Sequence, residues 1–216
     1  MAMTLSQYQT RVLQLLSDPA QKRFSTDLIT EAARQALKDF SQTAPRIVIT
    51  TLTLTTARVI SLSTLTDLLY PVAIIYPYDA NIAPEDQVIQ PFYFYQSAGV
   101  PTVELQGPDP IAGAALRITY AAAHTINGLD SAAVTTIMTV HESFLIIGIA
   151  AYALDQRAGL LAETYGQRST DVTRILSQAE SYHTHFNNYC SALKTFSNNL
   201  FPQGFALDQW DKGKRF

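Results

Sequence analysis

Four histidines, a single cysteine and a few adjacent carboxylates are the side chains in this sequence best equipped for chemistry. His141 opens the run His141-Glu142-Ser143-Phe144-Leu145, which begins like a zinc-protease helix, where two imidazoles four residues apart share one face and one metal ion. The second ligand position is Leu145, so that pair does not exist. His183 and His185 flank Thr184. On a helix their rings project about 200° apart and cannot chelate one ion together, and the nearby Cys190 does not repair the geometry. Glu85 and Asp86 follow Pro84 in a turn-like stretch where a solvated loop is the ordinary reading. No Gly-rich phosphate loop, dinucleotide fingerprint or Gly-x-Ser-x-Gly elbow occurs. The expectation is a protein that is not an enzyme, binds no cofactor and holds no metal.

The bulk composition points away from a nucleic-acid reader as well. The chain has 216 residues, a net charge of −3 and a pI near 5.7, and tight binding to phosphates needs clustered Lys and Arg. Charged residues make up 15% of the sequence against roughly 25% in an average domain. A surface so poor in charge is kept soluble by Ser, Thr, Asn and Gln, or is covered by neighbouring subunits; covered surface is expected. The lone Cys190 excludes an intrachain disulfide and suits assembly in a reducing cytoplasm. The N-terminus lacks the basic and apolar regions of a secretory signal. The longest apolar run, Phe144 to Leu154, is well short of the ~20 residues that span a bilayer, so a buried core helix and no membrane are expected.

The elements that would position any site follow from periodicity. Thr4 and Gln7 stand in capping-box spacing before a helix with Leu5, Tyr8, Val12 and Leu15 on one face, ended by Asp18-Pro19. The run Phe24-Ser25-Thr26-Asp27 starts a second helix, whose apolar stripe reaches Phe40 and stops before Pro45. From Ile47 the period changes to 2, and six short runs of β-branched and aromatic residues, the last being Ala115 to Ala122, predict antiparallel strands. Pro71, Pro77, Pro91 and Pro101 fall in or beside them, which suits edge strands or strand starts. After Asp130 the helical period returns in a segment apolar all round through its middle, with Gly159 as its stop. A last helix, N-capped by Asp171, carries apolar residues in 3-4-3-4 spacing from Val172 to Leu200.

The expected fold is therefore α+β. A mostly helical bundle, residues 1–46 and 124–200, comprises an N-terminal helix pair, a buried central helix and a long C-terminal helix. An inserted antiparallel β subdomain occupies 47–123, and an extended C-terminal arm 201–216. The heptad face bearing Tyr182, Phe186, Tyr189, Leu193 and Phe196 is ordinarily core of its own chain; as an alternative it is a helix interface to another chain. In the arm, Phe205, Leu207, Trp210 and Phe216 are aromatic and aliphatic anchors for a partner's pockets, with Lys212, Lys214 and Arg215 to steer them.

The order of these elements resembles the head-to-tail adaptor proteins of tailed bacteriophages. The resemblance runs from about Leu5 to Ala162. It rests on the helix pair from Leu5 to Pro45, with its aromatic-Ser-Thr-Asp cap, and on the Pro-containing loop that feeds the strand ending near Tyr120. The acidic turn Asn127 to Asp130 before the His-Glu-bearing, Ala-rich helix completes it. Membership implies a virion structural protein of the neck, assembled in the host bacterial cytoplasm as a homo-oligomeric ring of twelve. It implies a portal protein on one side, a downstream neck or tail protein on the other, and a channel that DNA traverses without specific binding. Another neck or tail-completion subunit, or a general oligomeric interaction module, is the alternative.

Overall fold

The structure, a computed structural model, describes residues 2–54, 58–83, 87–107, 110–165 and 170–200, with side chains through 194 except that of 165. The chain divides into two compact units, Met1–Ala44 with His124–Phe216, and Pro45–Ala123. The class is α+β, with four helices and two small antiparallel sheets among the described residues.

In the first unit, α1 spans Leu5–Leu15, and the Thr4 backbone N–H donates to Gln7 Oε1 at 2.8 Å, as the spacing of those residues predicts. The turn that follows is organised by Asp18. Its buried carboxylate accepts the backbone N–H groups of Lys22, Arg23 and Phe24 at 3.1, 2.7 and 2.9 Å. These are charge-assisted bonds that fix the entry into the next helix. Helix α2, Thr26–Thr43, starts where Ser25 Oγ accepts the Leu28 N–H, and it buries Ile29, Ala32, Ala33, Ala36, Leu37 and Phe40 along one face.

The long helices are α3, Thr139–Tyr165, and α4, Thr170–Leu200. Helix α3 begins eight residues later than the helical period suggests. Residues 131–138 are held instead by hydroxyl-to-backbone bonds. Thr135 Oγ1 donates to Met3 O at 2.6 Å and accepts the Asn127 N–H at 2.9 Å, and Thr136 Oγ1 accepts the Thr125 N–H at 2.8 Å. These bonds tie residues 135 and 136 to backbone groups distant in sequence, which a helix starting at 131 would not do. Gly159 does not end α3. It lies inside the helix, because a lone glycine costs only about 1 kcal/mol against alanine and packing overrides it. Asp171 falls in the first turn of α4, where a carboxylate still complements the helix dipole.

By length and composition α3 passes for a membrane span. Yet Leu145, Ile149, Ala150, Ala153 and Leu154, which supply much of its hydropathy, are buried in one cluster with Tyr8, Val12, Ile29, Phe40, Ala179 and Phe186 from the other helices. Each such large side chain contributes about 1.5–3 kcal/mol on burial.

In the second unit, β1 (Arg46–Thr53), β6 (Ala115–Ala122) and β3 (Leu68–Ile75) form one sheet in the order β1-β6-β3. The strands β2 (Val59–Ser61), β5 (Val100–Leu105) and β4 (Phe92–Ser97) form the other, in the order β2-β5-β4. Every pairing is antiparallel. Pro71 lies on the edge strand β3, beside register irregularities, and Pro101 is the second residue of β5. Inward residues of both sheets, among them Val103, Leu105, Leu116, Ile118, Tyr120 and Ile74, share a core. Asp67 ties its rim, paired with the Arg46 guanidinium and accepting the Tyr120 hydroxyl at 3.3 Å.

Candidate interaction surfaces

The α4 face singled out by its heptad spacing packs largely within its own unit. Phe186 is fully buried, and Tyr182, Tyr189 and Leu193 are half-buried against the same helical core. What lets α4 approach is Gly148 on α3, where the Phe186 ring occupies the space a side chain would take. Tyr189 stacks on Phe144 with centroids 3.5 Å apart and planes 4° from parallel. The side chain of Phe196 lies outside the described residues. So does the whole arm, with Phe205, Leu207, Trp210, Lys212, Lys214, Arg215 and Phe216.

Two of the four histidines, His141 and His183, bond between helices, His124 bonds the loop beside them, and His185 is exposed on α4. His141 Nδ1 lies 2.6 Å from Tyr189 Oη. Burial lowers the histidine pKa and raises that of the tyrosine, so the phenol donates to a neutral imidazole. His183 Nε2 donates to Asp155 Oδ2 at 2.6 Å, joining α4 to α3. His124 Nε2 faces Ala44 O at 3.0 Å; a carbonyl only accepts, so Nε2 carries the proton there, and Nδ1 is left facing Thr136 Oγ1 at 3.2 Å. The Tyr152 hydroxyl donates to Asp39, and burial together with that bond keeps it protonated well above the ordinary phenol range. Cys190 is buried, and desolvation followed by the Asp39 charge pushes its thiol up to about 11, far from the depressed values of reactive cysteines. Among the described residues no three His, Cys, Asp or Glu side chains gather as a metal site. Glu85 and Asp86 lie outside them.

What the surface does offer is exposed apolar area on strands. On β1, Ile47 and Ile49 are exposed, and Ile47 and Tyr70 flank Ala121 on the outer side of the first sheet. On β4 nearly every side chain is exposed, including Tyr93, Phe94 and Tyr95. Both β1 and β4 are edge strands within their sheets, and an edge strand leaves alternate N–H and C=O groups unpaired. In the helical unit Val134, Met138 and Val140 are each more than 60% exposed around the start of α3. Alternation predicts the β1 exposure; that of β4 on nearly all positions carries no such periodic signal.

No protein-family model matches the chain, and no curated protein matches it either.

Proposed function

We propose that this chain is a head-to-tail adaptor of a tailed bacteriophage. In this reading it is a structural protein of the virion neck, assembled in the host bacterial cytoplasm as a ring that docks on the portal on one side and on a downstream neck or tail protein on the other. The single observation that carries the reading is the element order: a capped helix pair, six antiparallel strands, then a buried Ala-rich helix and a long last helix. Supporting it are a surface with few charges and exposed apolar side chains on edge strands, which suit lateral contacts between subunits. A mildly acidic protein also lets DNA slide through a channel, because cationic contacts would retain it. The ring holds twelve copies, and the chain has no catalytic role, no cofactor and no membrane partner.

The docking element is the arm from Phe205 to Phe216. Affinity capture by the portal protein encoded in the same genome tests this, with the full chain and a chain ending at Gly204 compared side by side. Capture of the full chain with loss for the shortened one is expected. Equal capture of both removes the arm from the account, and capture of neither overturns the adaptor reading.

A further inference from the structure

The turn between α1 and α2, the second half of α3 and the start of α4 enclose a cavity of about 250 Å³ within the helical unit. Its floor is apolar, with Leu16, Phe24 and Leu154 all buried. Its charged lining is three guanidiniums, those of Arg23, Arg157 and Arg174, and one carboxylate, Asp171. Among the lining residues three cations less one anion leave an excess of two positive charges, offset in part at Arg23 by the buried Asp18 carboxylate behind it, in a chain whose net charge is −3 and which has only 15 Lys and Arg in all.

The groups facing the cavity are only partly engaged. Arg23 uses one nitrogen, Nη2, on the Leu16 and Ser17 carbonyl oxygens at 3.1 and 2.9 Å, which leaves most of its five N–H donors for another acceptor. Arg174 reaches Asp171 only at 3.7 Å, with both side chains about three-quarters exposed, and such surface pairs hold their partners weakly. Arg157 is half-buried and makes no hydrogen bond or ion pair among the described residues. Guanidiniums are suited to carboxylate oxygens, which they bind with two parallel N–H bonds. The volume lies below the ~300 Å³ at which small-molecule pockets begin, so it admits a side chain or two.

We propose that this cavity receives an acidic side chain and the apolar side chain beside it from another polypeptide: the carboxylate among Arg23, Arg157 and Arg174, the apolar group on Leu16, Phe24 and Leu154. The charge complementarity and the size both select a short acidic-apolar segment. The proposal does not depend on the adaptor reading, since it concerns a pocket of one folded unit.

The test is NMR titration of the full chain, following the arginine Nε–H signals, with the blocked peptide acetyl-Leu-Glu-Leu-amide. Acetyl-Leu-Gln-Leu-amide and inorganic phosphate serve as comparison probes. Saturable shifts at the three arginines, with binding at least tenfold tighter for the Glu peptide than for the Gln peptide, are expected. Arg157→Gln should weaken the Glu peptide by a similar factor with an unchanged far-ultraviolet spectrum. Asp171→Asn should tighten it several-fold by removing the competing carboxylate, an effect that a purely structural role for Asp171 would not produce. Equal binding of the two peptides, phosphate binding as tight as the Glu peptide, or no saturation by the Glu peptide would each overturn the proposal.

Discussion

Two glycines on the same helix should respond to alanine in opposite directions. A Cβ built at Gly148 falls 2.8 Å from both Cδ2 and Cε2 of Phe186 and 3.0 Å from Cγ, whereas carbon pairs are comfortable at about 3.5–4.0 Å. The Phe186 ring is fully buried in the helical core and has nowhere to retreat. A Cβ at Gly159 meets nothing within 4 Å. Alanine gains about 1 kcal/mol over glycine at either position from helix propensity. At 148 that gain is set against overpacking, which costs about 1–3 kcal/mol, and three ring atoms inside contact distance put this site at the upper end. The net expectation is a loss of about 1–2 kcal/mol for Gly148→Ala and a gain of about 1 kcal/mol for Gly159→Ala. Urea denaturation followed by circular dichroism at 222 nm measures both, since all four helices belong to one unit, and an unchanged slope shows that only stability moved. Phe186→Leu placed on Gly148→Ala should recover part of the loss, a coupling that a double-mutant cycle isolates. If Gly148→Ala proves as stabilising as Gly159→Ala, the close α3–α4 approach is not as described.

Three further outcomes follow from the buried polar groups. Burial pushes the Asp18 carboxyl upward, but the backbone N–H donors of Arg23, Phe24 and Lys22 and the Arg23 charge outweigh it, so its pKa lies below the ordinary value. Its contribution is present above the unfolded pKa of about 3.9 and is lost as pH falls through the folded value. Asp18→Ala should therefore cost about 2 kcal/mol at pH 7, the scale of bonds to a charged acceptor, and the gap to the parent protein in urea titrations should close below pH ~4. His141 has its pKa lowered by burial, so the stability it lends is complete above its unfolded pKa of about 6.5 and declines as pH drops through the folded value; His141→Gln should flatten that part of the stability profile. Cys190, with its thiol raised to about 11, should resist alkylation by iodoacetamide at pH 8 in the folded protein and react within minutes in denaturant, read by mass spectrometry.

Local signals wrote much of this fold into the sequence. Thr4 with Gln7 and Ser25 before Leu28 start their helices through bonds within three residues, and the run Ala115 to Ala122 is a strand with its inward residues at even positions. Elements whose boundaries depend on distant partners were less legible. The start of α3 waits for Thr135 to bond Met3 O, 132 residues away, and Gly159 stays helical because α3 is held along its length by its neighbours. The strand order β1-β6-β3 brings the first strand against the last, a pairing that alternation cannot specify. The arginine-lined cavity draws Arg23, Arg157 and Arg174 from three separate elements; in the linear sequence Arg23 reads as half of a short Lys22-Arg23 basic pair and the other two as isolated surface charges. Gly148 gave no signal either, because the residue it accommodates, Phe186, lies on another helix.

The adaptor reading is tested most directly by mixing the purified full chain with the portal protein of its own genome and measuring the mass and symmetry of the product by light scattering and electron microscopy. The expected product is a ring of twelve copies stacked coaxially on the portal with a continuous central channel. Two species that remain separate at micromolar concentration, or a complex without a ring, would contradict it.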